Sequence, residues 1–284
     1  MKRVQTIEAL QSQIEAAKTK GRKVGFVPTM GALHPGHASL IERARNACEE
    51  VVVSIFVNPT QFNNRKDFKT YPSTLKDDLD VARKTGATTV FTPTVDELYG
   101  GDLKVGPVDY GRLTSAYEGQ KRAGHFDGVV AVVRKLFSAV RPDMAFFGEK
   151  DLQQLAVIRQ LVRSEFDGLE VVGCPLVRER DGLAMSSRNV RLLGESRQDA
   201  LKLNRWLNRI KSTACNGRDV SAVLQAIESE AASMKAIELE YIDVVDAKTF
   251  EPQHNASSQQ GAFAIVAAQV GGVRLIDNCC VACS

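Results

Sequence analysis

Two of the chain's four histidines, His34 and His37, lie three residues apart in the short segment Met30–His37. This segment contains Gly and Pro and directly follows the apolar run Val24–Pro28, so the order predicts a strand, a tight turn and a helix. Anions bind at helix N-termini because the first N–H groups lack partners and the helix dipole is positive there. Two imidazoles at this position are suited to bind a triphosphate.

Three further polar clusters also follow predicted strands. In an open parallel sheet, ligands bind outside the carboxyl ends of the strands, so the four clusters should meet at one edge. Each has a simpler explanation when taken alone: a capped helix start, a turn or a solvated charge run. Their convergence favours a binding site. The three segments are Asn58–Phe62, Gly148–Gln154 and Val177–Arg188.

The residue types in these clusters fit a nucleotide and a small acid. Lys150 can place a point charge on a phosphate, and Asp151 can accept hydrogen bonds from ribose hydroxyls. The hydroxyls and guanidinium of Ser186–Arg188 can clamp an oxyanion or a phosphate. The Gln61 amide can donate to a carboxylate and accept from a hydroxyl. Glycine-rich dinucleotide and P-loop motifs are missing from the sequence, so these groups would have to hold ATP themselves.

From Val24 to about Cys174 the chain alternates between short Val-, Ile- and Phe-rich runs and segments of helical period, such as Phe126–Val140 and Leu152–Phe166. This alternation predicts an α/β fold with a doubly wound parallel sheet. The predicted strands are Val24–Pro28, Val51–Val57, Thr89–Thr92, Met144–Phe147 and Val171–Cys174.

The pattern changes after about Leu176. Two helical segments precede three strand-like runs, and Gly271–Gly272 between the last two predicts a hairpin turn. We therefore expect a domain at 1–176 and a smaller α+β domain at 177–284. The helical segments are Glu195–Ser212 and Val220–Met234, and the strand-like runs are Leu239–Val245, Phe263–Val270 and Val273–Asp277.

Composition excludes several classes of function. The 284 residues are 44% hydrophobic and 25% charged, with a net charge of +3, which is ordinary for a globular protein. The chain has no basic block with interleaved aromatics to bind nucleic acid. From its polar N-terminal stretch we expect no secretory signal, and we find no apolar run long enough for a membrane. We expect a cytoplasmic protein that binds neither nucleic acid nor membrane.

Three of the six cysteines lie in the C-terminal segment Cys279–Ser284. The segment lacks the second ligand pair that a zinc site requires, and a cysteine fourth from the end, as prenylation requires, is absent. We expect a frayed tail that binds no metal.

Taken together, the motifs resemble the pantothenate synthetase family, within the nucleotidyltransferase superfamily that carries a His-x-Gly-His signature. The resemblance runs from about Val24 to Asn278, with the motifs in family order. The segments that carry it are Val27–His37, Val53–Phe62, Phe147–Asp151, Leu183–Asn189 and Arg274–Asn278.

The resemblance implies a Rossmann-like fold and a homodimer. It implies an enzyme that joins pantoate to β-alanine with ATP, giving pantothenate, AMP and pyrophosphate through a pantoyl adenylate. Magnesium is expected as well, bound chiefly through phosphates and not by a dedicated protein site.

The resemblance also implies roles for individual residues. His34, His37, Lys150 and Arg188 would be catalytic, Gln61 and Gln154 would bind pantoate, and Gln61 would also contact β-alanine. Met30 and Phe62 would form an apolar wall. The C-terminal domain would contribute to the ATP site and cover it. The implied ATP contacts are Met30, Gly31, Ala32, Leu33, His34, Pro35, Gly36, His37, Gly148, Glu149, Lys150, Asp151, Val177, Met185, Ser186, Ser187 and Arg188.

Two other functions fit parts of the pattern. One is a nucleotidyltransferase that adenylates a phosphate ester, which should lack the glutamines at Gln61 and Gln154. The other is a non-catalytic ATP-binding regulator, against which the intact histidines argue. The chain departs from the family at Ala123, Asp127 and Ser73, which puts the local geometry there in question. The polar segment Asn63–Tyr71 is a candidate cover for the site.

Overall fold

The computed structural model describes residues 1–62, 68–255 and 261–282. Its larger sheet has six strands, all parallel, in the order β1-β4-β3-β2-β5-β6. The five predicted strands are confirmed, whereas the edge strand β1 was not predicted. The strands are β1 Lys2–Val4, β2 Val24–Thr29, β3 Glu50–Ile55, β4 Thr89–Phe91, β5 Met144–Gly148 and β6 Glu170–Cys174.

Helices cover both faces of this sheet, and their sequences explain where they begin. The Thr6 side chain accepts from the N–H of Ala9 at the start of the first helix, and Pro35 occupies the first turn of the second. The helices are α1 Ile7–Lys18, α2 Pro35–Ala47, α3 Leu75–Thr85, α4 Val95–Tyr99, α5 Arg112–Ser115, α6 Glu118–Lys121, α7 His125–Val140 and α8 Leu152–Glu165.

Apolar side chains pack on each side of the sheet. On one side, Phe26 and Phe137 are fully or almost fully buried and meet edge to face, with ring centroids 6.2 Å apart. On the other, Ile41 of α2 and Phe146 of β5 belong to a second buried cluster. The sheet is therefore buried on both faces, as its near-continuous apolar strands predicted.

The later part of the chain forms a three-stranded antiparallel sheet in the order β7-β8-β9, packed against two helices. Gly271 and Gly272 turn between β8 and β9 with φ of 56° and 76°, so the predicted hairpin turn is confirmed. The elements are α9 Glu195–Cys215, α10 Ser221–Ala232, β7 Ile237–Asp246, β8 Ala262–Val270 and β9 Val273–Cys280.

The expectation of a frayed cysteine tail is wrong for its first three residues. Strand β9 continues to Cys280, which pairs with Phe263, and the Val281 side chain is buried. The Val281 N–H donates to the carbonyl oxygen of Ala262 at 3.1 Å. Backbone pairing with β8 therefore holds this segment, while Cys283 and Ser284 lie outside the described residues.

The sheet order places the binding site. From β2 the chain adds β3 and β4 on one side and, after the crossover, β5 and β6 on the other. A crevice forms at such a reversal, outside the carboxyl ends of the strands. The histidine turn follows β2, and Gly148–Gln154 follows β5. In the described ranges, no helix has the length and apolar character needed to cross a membrane.

Candidate active site

A cavity of about 230 Å³ lies at this crevice and is lined by residues from all four polar clusters. The structure thus brings together segments that are far apart in the sequence. Of the residues named from the sequence, the lining includes Met30, His34, Gly36, His37, Gln61, Phe62, Gly148, Lys150, Asp151, Gln154, Val177, Met185, Ser186, Ser187 and Arg188.

Five residues implied as ATP contacts do not line the cavity: Gly31, Ala32, Leu33, Pro35 and Glu149. For two of them the reason is a buried carboxylate on α3. Asp78 accepts from the N–H of Ala32 at 3.0 Å and from the N–H of Leu33 at 2.7 Å. These amides hold the turn in place and are not available to a phosphate.

The two histidines of the turn before α2, His34 and His37, have defined tautomers. His37 Nδ1 accepts from the backbone N–H of His34 at 3.4 Å, and His34 Nδ1 accepts from the N–H of Gly36 at 3.2 Å. A neutral imidazole has one N–H group, so in both rings the proton lies on Nε2. Each histidine can therefore donate one hydrogen bond from Nε2.

Both rings are neutral at physiological pH. Burial, reinforced by the charge of Lys150, lowers the pKa of His34 to about 4. Burial, the neighbouring His34 and the Lys150 charge lower the pKa of His37 to about 3. The ring centroids are 4.1 Å apart, so two charged imidazoles would repel strongly. The histidines can act as uncharged hydrogen-bond donors toward an anion.

The Gln61 side chain is oriented by a buried asparagine. Asn58 Nδ2 donates to Gln61 Oε1 and to the carbonyl oxygen of Gly128, both at 3.1 Å. The Tyr99 hydroxyl donates to Asn58 Oδ1 at 2.7 Å, which fixes the asparagine amide in turn. Gln61 Nε2 donates to Met30 Sδ at 3.0 Å. The glutamine therefore presents its NH₂ group toward the cavity wall that Met30 forms.

The loop Val177–Arg188 returns to the histidine turn. Arg178 and Ala184 form an isolated antiparallel bridge, and the Met185 N–H donates to the carbonyl oxygen of Val177 at 3.0 Å. Met185 Sδ accepts from the N–H of Gly36 at 3.2 Å. This contact joins the loop to the start of α2, so the first helical turn and the serine-rich segment share one site.

Ser186 has the capping role that its sequence position allowed. Its Oγ accepts from the N–H of Arg188 at 3.3 Å and begins a short 3₁₀ helix, Ser187–Arg191. The Arg188 guanidinium carbon lies 5.8 Å from the centroid of the Tyr71 ring. The cap holds Ser186, Ser187 and Arg188 together on the cavity wall.

The smaller sheet supports the lysine turn. Asn278 of β9 is buried, and its Nδ2 donates to the carbonyl oxygens of Glu149 at 2.8 Å and Lys150 at 3.0 Å. Lys150 Nζ lies 3.8 Å from a carboxylate oxygen of Asp151. The C-terminal part of the chain thus positions the cation that faces the histidines.

A second cavity, of about 480 Å³, adjoins the first between the two sheets. Its wall includes exposed Lys121 and Arg191 as well as Arg274 of β9. A large anion or a second substrate can therefore approach the first cavity from this side. The residues that line both cavities are Phe62, Arg122, Lys150, Asp151, Ser186 and Arg188.

Sequence reasoning gave no site role to several residues that shape the cavity. Asp78 received no role, and Asn278 was noted only within the family segment Arg274–Asn278, because the site backbone groups that they bond are 45 to 129 residues away. His125 also received no role, yet its Nδ1 bonds the carbonyl oxygen of Gln61 at 3.0 Å. Burial lowers the pKa of His125 to about 3, so this ring is neutral too.

The segment Asn63–Tyr71, a candidate cover in the sequence, is described only in part. Residues 63–67 lie outside the described residues. The Phe62 ring contacts Phe68 and Tyr71, with centroids 5.4 and 5.8 Å apart. Arg191 Nη2 donates to the carbonyl oxygen of Thr70 at 3.1 Å. Residues 68–71 therefore contact both parts of the chain.

Comparison with known proteins identifies the family to which this chain belongs. The sequence model of the family described as Pantoate-beta-alanine ligase matches residues 2–280. A pantothenate synthetase from Bacteroides fragilis is 46% identical over 278 residues, which is 98% of each chain. One from Thermotoga petrophila is 42% identical over 279 residues, or 98% of this chain and 99% of the relative.

Solved structures give the same result. The pantothenate synthetase of Thermus thermophilus superposes with a TM-score of 0.90 at 42% identity and covers 99% of both chains. A pantoate-beta-alanine ligase from Francisella tularensis, complexed with beta-gamma ATP and beta-alanine, has a TM-score of 0.81 at 33% identity. That match covers 100% of this chain and 99% of the other.

Proposed function

We propose a mechanism from one premise: the chain belongs to the pantoate–β-alanine ligase family, because the family match spans residues 2–280. It is therefore an enzyme that joins pantoate to β-alanine. The observation that supports the mechanism best is the single cavity where neutral His34 and His37 and cationic Lys150 meet the glutamines. Such a site can activate a carboxylate with ATP and then pass the acyl group to an amine.

The first step we propose is attack of the pantoate carboxylate on the α-phosphorus of ATP. A carboxylate is a poor acyl donor because its leaving group would be oxide. Attack forms a new O–P bond and breaks the bond to the bridging oxygen, so pyrophosphate leaves and pantoyl adenylate remains. No protein nucleophile takes part, so the residues act by positioning and charge stabilisation.

The Nε2–H donors suit the oxygens of the reacting phosphate. His37, with Nδ1 occupied by the His34 N–H, is assigned to the oxygen between the α- and β-phosphates, and His34 to the phosphate oxygens beside it. Lys150 and Arg188 are assigned to the charge that develops on pyrophosphate. Because the second proton of each ring is already lost at physiological pH, the histidines act as neutral Nε2–H hydrogen-bond donors and not as titrating acids.

The remaining lining residues suit the other parts of the substrates. Gln61, held by Asn58, and Gln154 are assigned to the carboxylate and hydroxyls of pantoate. Met30 and Phe62 provide apolar wall. Gly148 and Asp151 are assigned to the ribose and Val177 to adenine, with Met185 and the two serines closing the nucleotide side. The proposed ATP contacts thus omit the five residues that do not line the cavity.

In the second step, the unprotonated amine of β-alanine attacks the acyl carbon of the adenylate. A C–N bond forms, the C–O bond to AMP breaks, and AMP leaves with the electron pair while the nitrogen loses a proton to solvent. Gln61, whose NH₂ group faces this part of the cavity, is the proposed contact to both acyl partners. The products are pantothenate and AMP.

Magnesium is part of the proposal. Mg²⁺ keeps several waters and is usually held in nucleotide sites by phosphates with one or two carboxylates. The described ranges hold no group of three His, Cys, Asp or Glu side chains placed for a metal ion. Asp151, whose side chain is half exposed, is the carboxylate on the cavity wall there. This donor set fits a magnesium bound mainly by the triphosphate, where the ion would neutralise phosphate charge.

Three expectations about organisation also remain proposals. The division at residues 176 and 177 is consistent with the two separate sheets, and the C-terminal part supplies Val177 and Met185–Arg188 to the site. We carry over a homodimer from the family resemblance and a cytoplasmic location from the sequence pattern. To test the homodimer, the purified protein is analysed by sedimentation, and we expect the mass of a dimer. Variants of the site residues should sediment at the same mass.

The function is tested with purified protein and each substrate left out in turn. Pantothenate and AMP should form in equal amounts only when ATP, pantoate and β-alanine are all present. Release of ADP in place of AMP would contradict attack at the α-phosphorus. Adenylation of a phosphate ester as fast as adenylation of pantoate would support the rival function, a nucleotidyltransferase that acts on phosphate esters.

Replacing Gln61 with alanine should weaken pantoate binding about 10- to 100-fold, the effect of losing a hydrogen bond to a charged group. ATP binding should remain close to that of the unaltered enzyme. Asn58 keeps its bond to the Gly128 carbonyl oxygen, so the wall should not collapse. Titration calorimetry with each ligand measures both effects, and Gln160→Ala on the outer side of α8 is the matched control. Equal losses for both ligands would make Gln61 a structural residue only.

A further inference from the structure

Three cationic side chains line the first cavity within the described part of the chain: Arg122, Lys150 and Arg188. The proposed mechanism uses Lys150 and Arg188 for phosphate charge, and the lining histidines are neutral. The reaction nevertheless involves a second carboxylate, that of β-alanine, which has to be bound and must not react. Arg122 is the remaining cation that could bind it.

Arg122 lies next to the wall on which pantoate is proposed to bind. The N–H of His125 donates to the carbonyl oxygen of Arg122 at 2.9 Å, so a tight turn joins the two residues. His125 Nδ1 donates to the carbonyl oxygen of Gln61 at 3.0 Å. Because a carbonyl oxygen can only accept, the neutral ring carries its proton on Nδ1. One residue therefore links Arg122 to the glutamine that is assigned to the acyl group.

The Arg122 guanidinium has donors available. Its one hydrogen bond within the described ranges runs from Nη1 to Glu118 at 3.3 Å. Glu118 is held more closely by Arg274, at 2.6 and 2.8 Å, and by the Tyr241 hydroxyl at 2.8 Å. A guanidinium carries five N–H groups in a planar fork, so most of those on Arg122 remain for a ligand. The side chain is 26% exposed, which leaves it accessible from the cavity.

Arg122 also lines the second cavity, between the two sheets. The two cavities adjoin at Arg122, so the second would offer β-alanine a separate approach once ATP and pantoate occupy the first. On that path its carboxylate would meet the guanidinium while its amine points toward Gln61.

We propose that Arg122 binds the carboxylate of β-alanine and thereby selects ω-amino acids as the acyl acceptor. The inference rests on the proposed function, since it assigns the second substrate of the same site. A planar guanidinium can bind a carboxylate with two parallel hydrogen bonds, which fixes the orientation of the amine as well as its position.

The experiment compares Arg122→Gln, Arg122→Lys and the unaltered enzyme in two assays. The first assay is pantoate-dependent exchange of labelled pyrophosphate into ATP without β-alanine, and the second is pantothenate formation at varied β-alanine. Arg122→Gln should keep exchange near the unaltered rate and raise the KM for β-alanine about 30-fold or more, as expected for loss of a charge pair. The KM of Arg122→Lys for β-alanine should lie between those of the unaltered enzyme and Arg122→Gln. Lysine keeps the positive charge but cannot form two parallel hydrogen bonds to a carboxylate.

Two comparisons separate this effect from general damage. Arg163→Gln removes an exposed guanidinium on α8 that lines neither cavity, and it should leave the KM for β-alanine unchanged. β-Alanine amide, which lacks the carboxylate, should be a far poorer substrate than β-alanine for the unaltered enzyme, and Arg122→Gln should lose most of that preference. Glu118 keeps Arg274 and Tyr241 as partners in this variant, so the fold should persist.

An unchanged KM for β-alanine in Arg122→Gln would overturn the assignment. A parallel loss of exchange would also overturn it, because Arg122 would then serve the phosphates or the fold. Absence of exchange in the unaltered enzyme is a different result, since it would refute the adenylate route itself.

Discussion

Replacing His37 with alanine should lower the rate constant of pantoyl-adenylate formation by about 10²- to 10³-fold, the usual effect of removing one donor to a developing oxyanion. The Nε2–H of His37 is an uncharged donor in a buried site, where such hydrogen bonds are strong. Its bond acts mainly in the transition state, so pantoate binding should change little. Single-turnover measurement of adenylate formation isolates this step.

The structure supplies a matched variant for this test. Glutamine can place its side-chain NH₂ near the position of the imidazole Nε2–H, so His37→Gln should recover part of the lost rate. Because the pKa of His37 is about 3 and that of His34 about 4, neither ring should produce an inflection near pH 6.5, where an ordinary histidine titrates. Near-normal adenylation by His37→Ala would remove the residue from its assigned role.

Replacing Glu118 with glutamine should lower the free energy of unfolding by about 3 kcal/mol at pH 7, in the range for breaking a buried ion pair. Glu118 is only 6% exposed and joins α6 to the smaller sheet. Its carboxylate accepts from both Nη atoms of Arg274 and from the Tyr241 hydroxyl, and Arg274 is also paired with Glu240. Glutamine has nearly the same shape as glutamate, so the loss of stability measures the removal of the charge and not the creation of a cavity.

The effect should depend on pH in a defined direction. Burial alone would raise the pKa of Glu118, but the hydrogen bonds and charge of Arg274, with the charge of Arg122, outweigh it and lower the pKa to about 2. A carboxyl whose pKa is lower in the folded state adds stability above its unfolded value of 4.5, and this stability is lost as pH falls toward 2. The difference between Glu118→Gln and the unaltered protein should therefore narrow below pH 4.5.

Urea unfolding at several pH values measures both parts of this prediction. Glu251→Gln is a suitable control, because Glu251 is paired with Arg112 at 3.6 Å and its side chain is 63% exposed. Exposed pairs contribute about 0–1 kcal/mol, so that change should be small. Equal stabilities of Glu118→Gln and Glu251→Gln would show that the buried network does not join the two parts.

Local patterns in the sequence predicted most of the fold. Apolar runs such as Val24–Pro28 identified the strands because a parallel sheet is buried on both faces. Gly271–Gly272 identified the hairpin because both residues need a positive φ. Strand β1 was missed because it has three residues and only Val4 is buried. The tail was misjudged because its pairing with β8 depends on Ala262, far from it in the sequence.

The sequence predicted the residues that line the site but not the residues that hold them in position. Clusters at strand ends could be brought together by topology alone, and four of them do line one cavity. The residues that orient them left no such signal. Asp78 looks like a solvated helix acid until the turn is folded against it, and Glu118 meets Arg274 across 156 residues. Contacts of this kind depend on the complete tertiary structure.

The central claim is that this site forms pantoyl adenylate before the amine takes part. The most direct measurement is exchange of labelled pyrophosphate into ATP by the purified enzyme, with pantoate present and β-alanine absent. The mechanism predicts exchange that requires pantoate and falls about 10²- to 10³-fold when His37 is replaced by alanine. Exchange that occurs only when β-alanine is added would contradict a free acyl adenylate and, with it, the order of steps assigned to this cavity.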